Sequence, residues 1–473
     1  MTRRALVLPI VLLPFLTFPL TITGASVALP DIRDDLHSSL AATQWVVNGY
    51  NATFASFLVL AGSLADVLGR RRVFASGVVL FFGSAVVCSL AGDIVLLNAV
   101  RLLGGIGAAA TVTSGSSIIA DTFTGQARVK AFGLVGTTLG VGLAFGPTVG
   151  GALVDAFGWR GVFAVPAALA GLVLLGVPAL PKAAGAHGRR VDWLGAALFT
   201  GGLLLVIFAF VQGPELGFGH PVIVAAFVGG IALGALFTYV ERRVDDPMFE
   251  LGLLANPRFL SMAIAAAAIV VVLVPLLVYL PSYLIANVGL DAGTAGIWLL
   301  MLTAPTVLLP TAGAALAKRV PIIWLVAGSV AVTSVGVLSL TTIGPDSTPL
   351  TLAVPLALTG AGFGLSTGLM DGLAIGAVEP EQAGTASGMF SAARLASETV
   401  GIAVVGAILA SLSGDLLEGP DYTSALHTVC LALGGFGVVA TAAVVAVSRR
   451  GGTSQGVTGP VTPPVKNEQA RPC

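Results

Sequence analysis

Apolar residues run along this chain in long blocks separated by short polar breaks, without the alternation of strands or the narrow stripe of a soluble amphipathic helix. About 20 apolar residues at 1.5 Å each are needed to cross ~30 Å of hydrocarbon. Fourteen such blocks are predicted as helical spans, at 5–30, 44–65, 73–91, 94–120, 131–154, 161–180, 193–212, 222–240, 259–286, 293–317, 322–343, 350–378, 383–412 and 424–447. A helix pairs its own backbone groups in lipid, an open sheet cannot, and no alternation suggests a barrel. Arg3 and Arg4 precede the first block as in a secretory signal. That block is about twice a usual signal core and lacks a small-x-small site before Pro30, so it is expected to stay as a span.

Composition turns this pattern into exclusions. Of 473 residues, 56% are hydrophobic and 10% charged, with a mean hydropathy of +0.97. Soluble proteins carry roughly 25% charged residues, so a soluble enzyme is excluded. The 23 Lys and Arg balance 23 Asp and Glu, which leaves no excess of positive charge for nucleic acid. Cys88, Cys430 and Cys473 are too few for a disulfide scaffold. His37, His187, His220 and His427 are scattered, with no pair one helical turn apart, so no metal site is expected. None of Lys130, Lys182, Lys318 and Lys466 follows a glycine, so no phosphate-cradling loop exists. Transport would then be facilitated or ion-coupled, with no cofactor.

Charge also orients the chain. With the N-terminus inside, 19 of the 23 Lys and Arg fall in inner segments, and only Arg33 and Arg160 lie outside. One missed span would invert the later loops, so an even number of spans with both ends cytoplasmic is expected. The chain reads as an all-α polytopic membrane protein. Two pseudo-symmetric six-helix bundles, 1–181 and 259–447, flank a linker, 182–258, that carries two extra helices. A Gly/Pro/Thr-rich cytoplasmic tail at 448–473 is expected to be disordered.

Three segments carry candidate chemistry. Gly62-Ser-Leu-Ala-Asp66-Val-Leu-Gly69-Arg70-Arg71-Arg72 closes the second span. Gly62 would let a neighbouring helix approach, and Asp66 would cap a helix or pair with Arg70. The three arginines form a positive-inside stop. In the fifth span, Gly142, Gly146 and Gly150 repeat every four residues beside Pro147 and Gly151. This makes a smooth packing face with a kink. Four ionisable residues, Arg101, Asp371, Arg394 and Glu398, lie inside predicted spans. Each costs roughly 2.5–3.5 kcal/mol at the bilayer centre, so they should pair or line water. Arg394 and Glu398 stand four apart and can face each other. A self-neutralised pair and a protonatable Glu398 both fit that spacing.

The Gly62–Arg72 segment resembles the signature loop between the second and third helices of the major facilitator superfamily, with Val67 where the family has Arg. A weaker echo, Gly313–Val320, falls in the corresponding loop of the second half. The Gly142–Gly151 segment resembles the signature of the superfamily's antiporters. Thr43–Tyr50, Trp159–Pro166 and Pro247–Phe259 resemble segments of its fourteen-span drug:proton antiporter family. The resemblance covers residues 20–447. It implies that Arg101, in a segment like the family's R-x-x-q-G-x-g with Gly104 in place of Gln, serves proton coupling. The family's first span commonly carries Asp and Asn where Thr21 and Ser26 stand here. Thr21 cannot hold a proton, so coupling would fall to Glu398 or Asp371, or the substrate is not a cation. Thr21, Ser26, Asn48 and Asn51 are candidates for a central cavity.

The expectation is a proton-coupled exporter of an amphipathic small molecule, a drug or secondary metabolite, working by alternating access. It would be a monomer in the plasma membrane, with the substrate, protons and the lipid bilayer as partners. The alternatives are a facilitator or importer of a neutral or anionic solute, and a non-transporting membrane sensor or scaffold.

Overall fold

The computed structural model describes residues 3–123, 125–181, 192–244, 247, 249–366, 369–376, 383–413 and 418–452. The linker 182–191 and the tail from 453 onward therefore lie outside the described residues, as do the side chains of Asp66 and Asp371. Eighteen α-helices and no strand occur among the described residues. Eleven of the described helical stretches are long and apolar enough to cross a membrane. Their outward faces suit lipid. Leu90, Val95, Leu175 and Leu350 are 74–86% exposed, which no soluble surface of this extent would tolerate.

The helices begin where short polar side chains can hold their first amides. Asp93, Asp192 and Asp291 accept from the backbone N–H three residues on, at 2.8, 2.8 and 2.7 Å. Asn256 does the same just before Pro257, whose missing N–H costs nothing at a helix start. Gly69, at φ 97°, ends α3 (Leu40–Leu68) and starts α4 (Arg70–Leu90), a backbone turn that strains any side chain.

The first set of neighbours is α1 (Arg3–Val27), α3, α4, α5 (Ile94–Thr122), α6 (Gly125–Phe157) and α7 (Gly161–Gly176), with the short α2 (Leu29–Asp35) across one end. Within it α1 packs on α6 and α7, α3 on α5, and α4 on α5 and α7. A second set runs from α10 (Pro257–Ala286) to α18 (Gly419–Gly452). There α10 packs on α17 (Ala383–Ser413) and α18, α12 on α15 (Pro349–Ser366), and α14 (Ile322–Ser339) on α15 and α18. Between them α8 (Trp193–Leu216) and α9 (Pro221–Glu241) form a hairpin.

Two boundaries differ from expectation. Predicted span 293–317 is three pieces, α11 (Ala292–Trp298), α12 (Leu300–Leu308) and α13 (Pro310–Leu316). Leu299 and Leu309 keep helical dihedrals, so the pieces follow one another closely, and Pro310 has no N–H to continue the ladder, which explains the second interruption. The last helix runs five residues past the predicted end, through Arg449 and Arg450 to Gly452.

Candidate functional site

The two sets of helices meet along two seams, α3 against α17 and α6 against α11 and α12, while α1 touches α10 between them. The contacts described below lie toward the end of the bundle that carries Trp159. That end is tied by Asp35, which accepts from Trp159 Nε1 at 3.0 Å and Arg160 Nη1 at 2.8 Å. These hydrogen bonds hold the Asp35 carboxyl below its ordinary range, that from Arg160 most strongly. Arg160 also donates to Ala91 O at 3.1 Å, joining the ends of α2, α4 and α7.

The first seam is polar. Gln44, Asn48 and Asn51 recur at i, i+4 and i+7 on α3, all at most 3% exposed. Gln44 Nε2 donates to Gly406 O at 3.3 Å, and Thr399 Oγ1 approaches Asn51 O at 3.4 Å. Tyr279 of α10 donates to Ile402 O at 3.3 Å beside them. Among the described residues the buried side-chain N and O atoms of Asn51 find no hydrogen-bond partner, and Gln44 Oε1 is likewise unmatched. Each such group costs about 1–3 kcal/mol. Glu398 is 9% exposed in the preceding turn of α17, and Arg394, one turn before it, is the charge that acts on it.

The second seam is backbone against backbone. A Cβ on Gly151 would run into the Ala292 carbonyl, and one on Gly296 would lie 2.7 Å from Pro147 O. Thr148 Oγ1 donates to Gly296 O at 2.7 Å. The other glycines of that segment do different work. Gly142, Gly146 and Gly150 pack on α1 inside the first set, where a Cβ on Gly150 would sit 2.6 Å from Gly24 Cα. One motif thus holds a helix pair together with one face and meets the second set with the other.

The predicted cavity residues separate. Ser26 is at the centre, donating to Thr23 O at 2.6 Å and approaching Leu277 O of α10 at 3.0 Å. Thr21 is buried and spends its hydroxyl on Thr17 O at 2.8 Å, within its own helix. Asn48 and Asn51 lie in the first seam.

Arg101 is 3% exposed and wholly within the first set. Its Nε donates to Val46 O at 2.7 Å, and its guanidinium lies 4.2 Å from the Tyr50 ring centre and 5.5 Å from that of Phe163. Among the described residues no carboxylate comes within ion-pair distance of it. The packing instead turns Arg101 into an aromatic cage. A Cβ on Gly104 would come within 2.5 Å of Ser84 Oγ, so the family's Gln would have to turn that hydroxyl aside.

At the far end, Arg70 pairs with Asp121 on α5 and donates to Ser117 O at 3.2 Å. Arg71 is half-buried and Arg72 exposed. Among the described residues nothing lies within 4 Å of a Cβ built on Gly62. Asp121 was not foreseen, and the Asp66 side chain lies outside the described residues. Tyr279, Gln44 and Thr399 were also missed as seam residues. The Gln44-Asn48-Asn51 spacing was a usable signal, whereas nothing local marked Tyr279.

The model of the Major Facilitator Superfamily matches residues 12–402. The chain belongs to this superfamily. It is 34% identical over 409 residues to a probable actinorhodin transporter of Streptomyces coelicolor, covering 83% of this chain and 70% of that one. It is 32% identical over 401 residues to the multidrug resistance protein Stp of Mycobacterium tuberculosis, covering 83% and 73%. A bacterial homologue of the human lysosomal transporter Spinster, solved inward-facing and unoccupied, shares the fold at TM-score 0.69 and 18% identity, over 97% of this chain and 100% of that one. The chain is thus a multi-span membrane protein of a transporter superfamily and not an enzyme. Its relatives are efflux and resistance transporters.

Proposed function

We propose that this protein exports an amphipathic small molecule, of the drug or secondary-metabolite kind, in exchange for protons and by alternating access. The observation that carries this is the placement of the described contacts between the two helix sets. Both seams are made toward the Trp159 end, while Gly62 at the opposite end faces open space. A scaffold has no need of seams weighted toward one end, as those of the described residues are. The recurring neighbour pattern supports two six-helix bundles, 1–181 and 259–447, around a linker, 182–258, with two added helices. Helices α3 and α6, at 29 and 33 residues, and the three pieces α11–α13 would bring the eleven spans to fourteen.

In this scheme both termini are cytoplasmic in the plasma membrane and the Trp159 end faces outside, so the arrangement is closed to the exterior. The monomer suffices, since both bundles lie in one chain. Glu398 carries the exchanged proton, with Arg394 competing for its charge, and Asp371 is a second acceptor. Arg101 keeps the first bundle rigid by its cage, so it serves coupling by passing on the movement set off at Glu398 and holds no exchanged proton itself. The Arg70–Asp121 pair latches the loop at the inner end.

The test uses purified protein in liposomes with an acidic lumen and actinorhodin as the first probe of an antibiotic-class panel. Uptake should accelerate with the gradient and fall at least tenfold in Glu398→Gln. Flux indifferent to both would replace coupling by facilitated passage, which Thr21 favours by carrying no charge. No flux for any compound would leave the scaffold alternative.

A further inference from the structure

We propose that the α8–α9 hairpin is a sliding side wall: it travels with α10–α18 and shears over α3 whenever the two bundles part at the Trp159 end. This rests on the alternating access proposed above. Helix α8 lies against α3 of one bundle and α17 of the other, so it covers the first seam on the outside of the bundle. Helix α9 packs on α8 and turns Val228 and Ile231, 62% and 69% exposed, outward. The hairpin is therefore the lipid-side skin of one seam.

The two ends of the hairpin are held differently. Along the seam, Ile207 and Val211 cluster with the small side chains of Ala41, Ala52 and Ala403. Among the described residues no hydrogen bond or ion pair joins α8 to α3 or α17. Such apolar contact is non-directional, and the ring pair across it, Trp45 with Phe208, adds no hydrogen bond, so a shift along it exchanges one dispersion contact for another. The α6 seam is the opposite case, pinned by Thr148 to Gly296 and by facing backbones.

Toward the other end the hairpin is fastened to the lead into α10. Phe199 of α8, Phe237 of α9 and Phe249 form an aromatic triad with ring centres 5.5, 5.3 and 5.6 Å apart. Glu241 accepts from Phe249 N at 3.2 Å, and Phe249 and Leu253 are both buried. Phe249 stands just before the turn Leu251–Ala255 and the start of α10. A directional hydrogen bond and three ring contacts move as one body, and that body is the second bundle.

Two cysteine pairs separate anchor from slide, in a chain whose Cys88, Cys430 and Cys473 are replaced by alanine. Phe199→Cys with Phe249→Cys spans the anchor. Trp45→Cys with Phe208→Cys spans the slide, where the native rings are 6.4 Å apart. Flux of actinorhodin by the reduced variants tests transport by itself. After oxidation the anchor pair should retain at least half of that flux. The slide pair should lose at least tenfold and recover it on reduction. Flux that survives the slide cross-link, or is lost with the anchor cross-link, overturns the proposal. Spin labels on the same pairs, in lipid at pH 5 and pH 8, decide it without any flux. The anchor distance should be single and unchanged, and the slide distance should take two values. A single distance at both pairs overturns the sliding wall.

Discussion

Asn51 offers a test with an unusual sign. Replacing a buried side chain normally destabilises, but both polar atoms of Asn51 are buried in the first seam without hydrogen bonds. In Asn51→Leu the volume is nearly kept and the unmatched carboxamide is gone. In the open arrangement the amide would be hydrated, so the substitution acts mainly on the closed one. Relief of about 1–3 kcal/mol is expected in the closed state. This corresponds to a population shift of about 5- to 150-fold toward closure. The assay is alkylation of Ala292→Cys, at the second seam and 8% exposed, by a membrane-impermeant maleimide in a chain free of other cysteines. Asn51→Leu should slow labelling by that factor, raise the melting temperature, and slow turnover wherever opening limits it. Faster labelling or a lower melting temperature would refute the idea that the seam is strained by unmatched amides.

Gly150→Val and Gly151→Val should fail differently, because one glycine faces α1 and the other Ala292. The first should lower thermal stability by about 1–3 kcal/mol through overpacking. The second should speed Ala292→Cys labelling with little loss of stability. Arg70→Ala and Asp121→Ala should each cost at most about 1 kcal/mol, as a partly exposed pair does, and a double-mutant cycle should show that they couple. Because its hydrogen bonds lower the Asp35 carboxyl below its ordinary 3.8, the tether to Trp159 is present above that pH. It should be lost as pH falls through the lowered value, which the difference in fluorescence between the parent and Trp159→Phe can follow. In Asp35→Asn that pH step should vanish.

Most of the fold was legible because lipid imposes a length and a composition on each crossing. Helix starts at Asp93, Asp192 and Asp291 and the turn at Gly69 went unread, although the local chemistry of those residues carries a signal for them. The division of labour between Gly150 and Gly151 was not legible, since a repeat of small residues says that something packs closely and not what. Arg101 shows the same limit. A charge within a span announces a need for company, but whether a carboxylate or an aromatic ring supplies it depends on how α5 is turned. Thr21 shows a related limit: its hydroxyl is satisfied one turn back in its own helix, which the residue type alone does not announce.

The prolines of α12 and α13 have a mechanical consequence. Facing seams are built from unlike parts: α3 is 29 residues without a proline, while α11–α13 stays helical through Leu299 and Leu309 but lacks the backbone N–H of Pro305 and Pro310. An unbroken ladder passes a push at one end to the other undiminished. A ladder with two rungs missing bends first where they are missing and leaves its far segment where it was. Opening at the Trp159 end would then begin at α11 before α13 moves, whereas α3 swings as a whole. The two helix sets differ in how they give way, one turning as a block and the other flexing along its length.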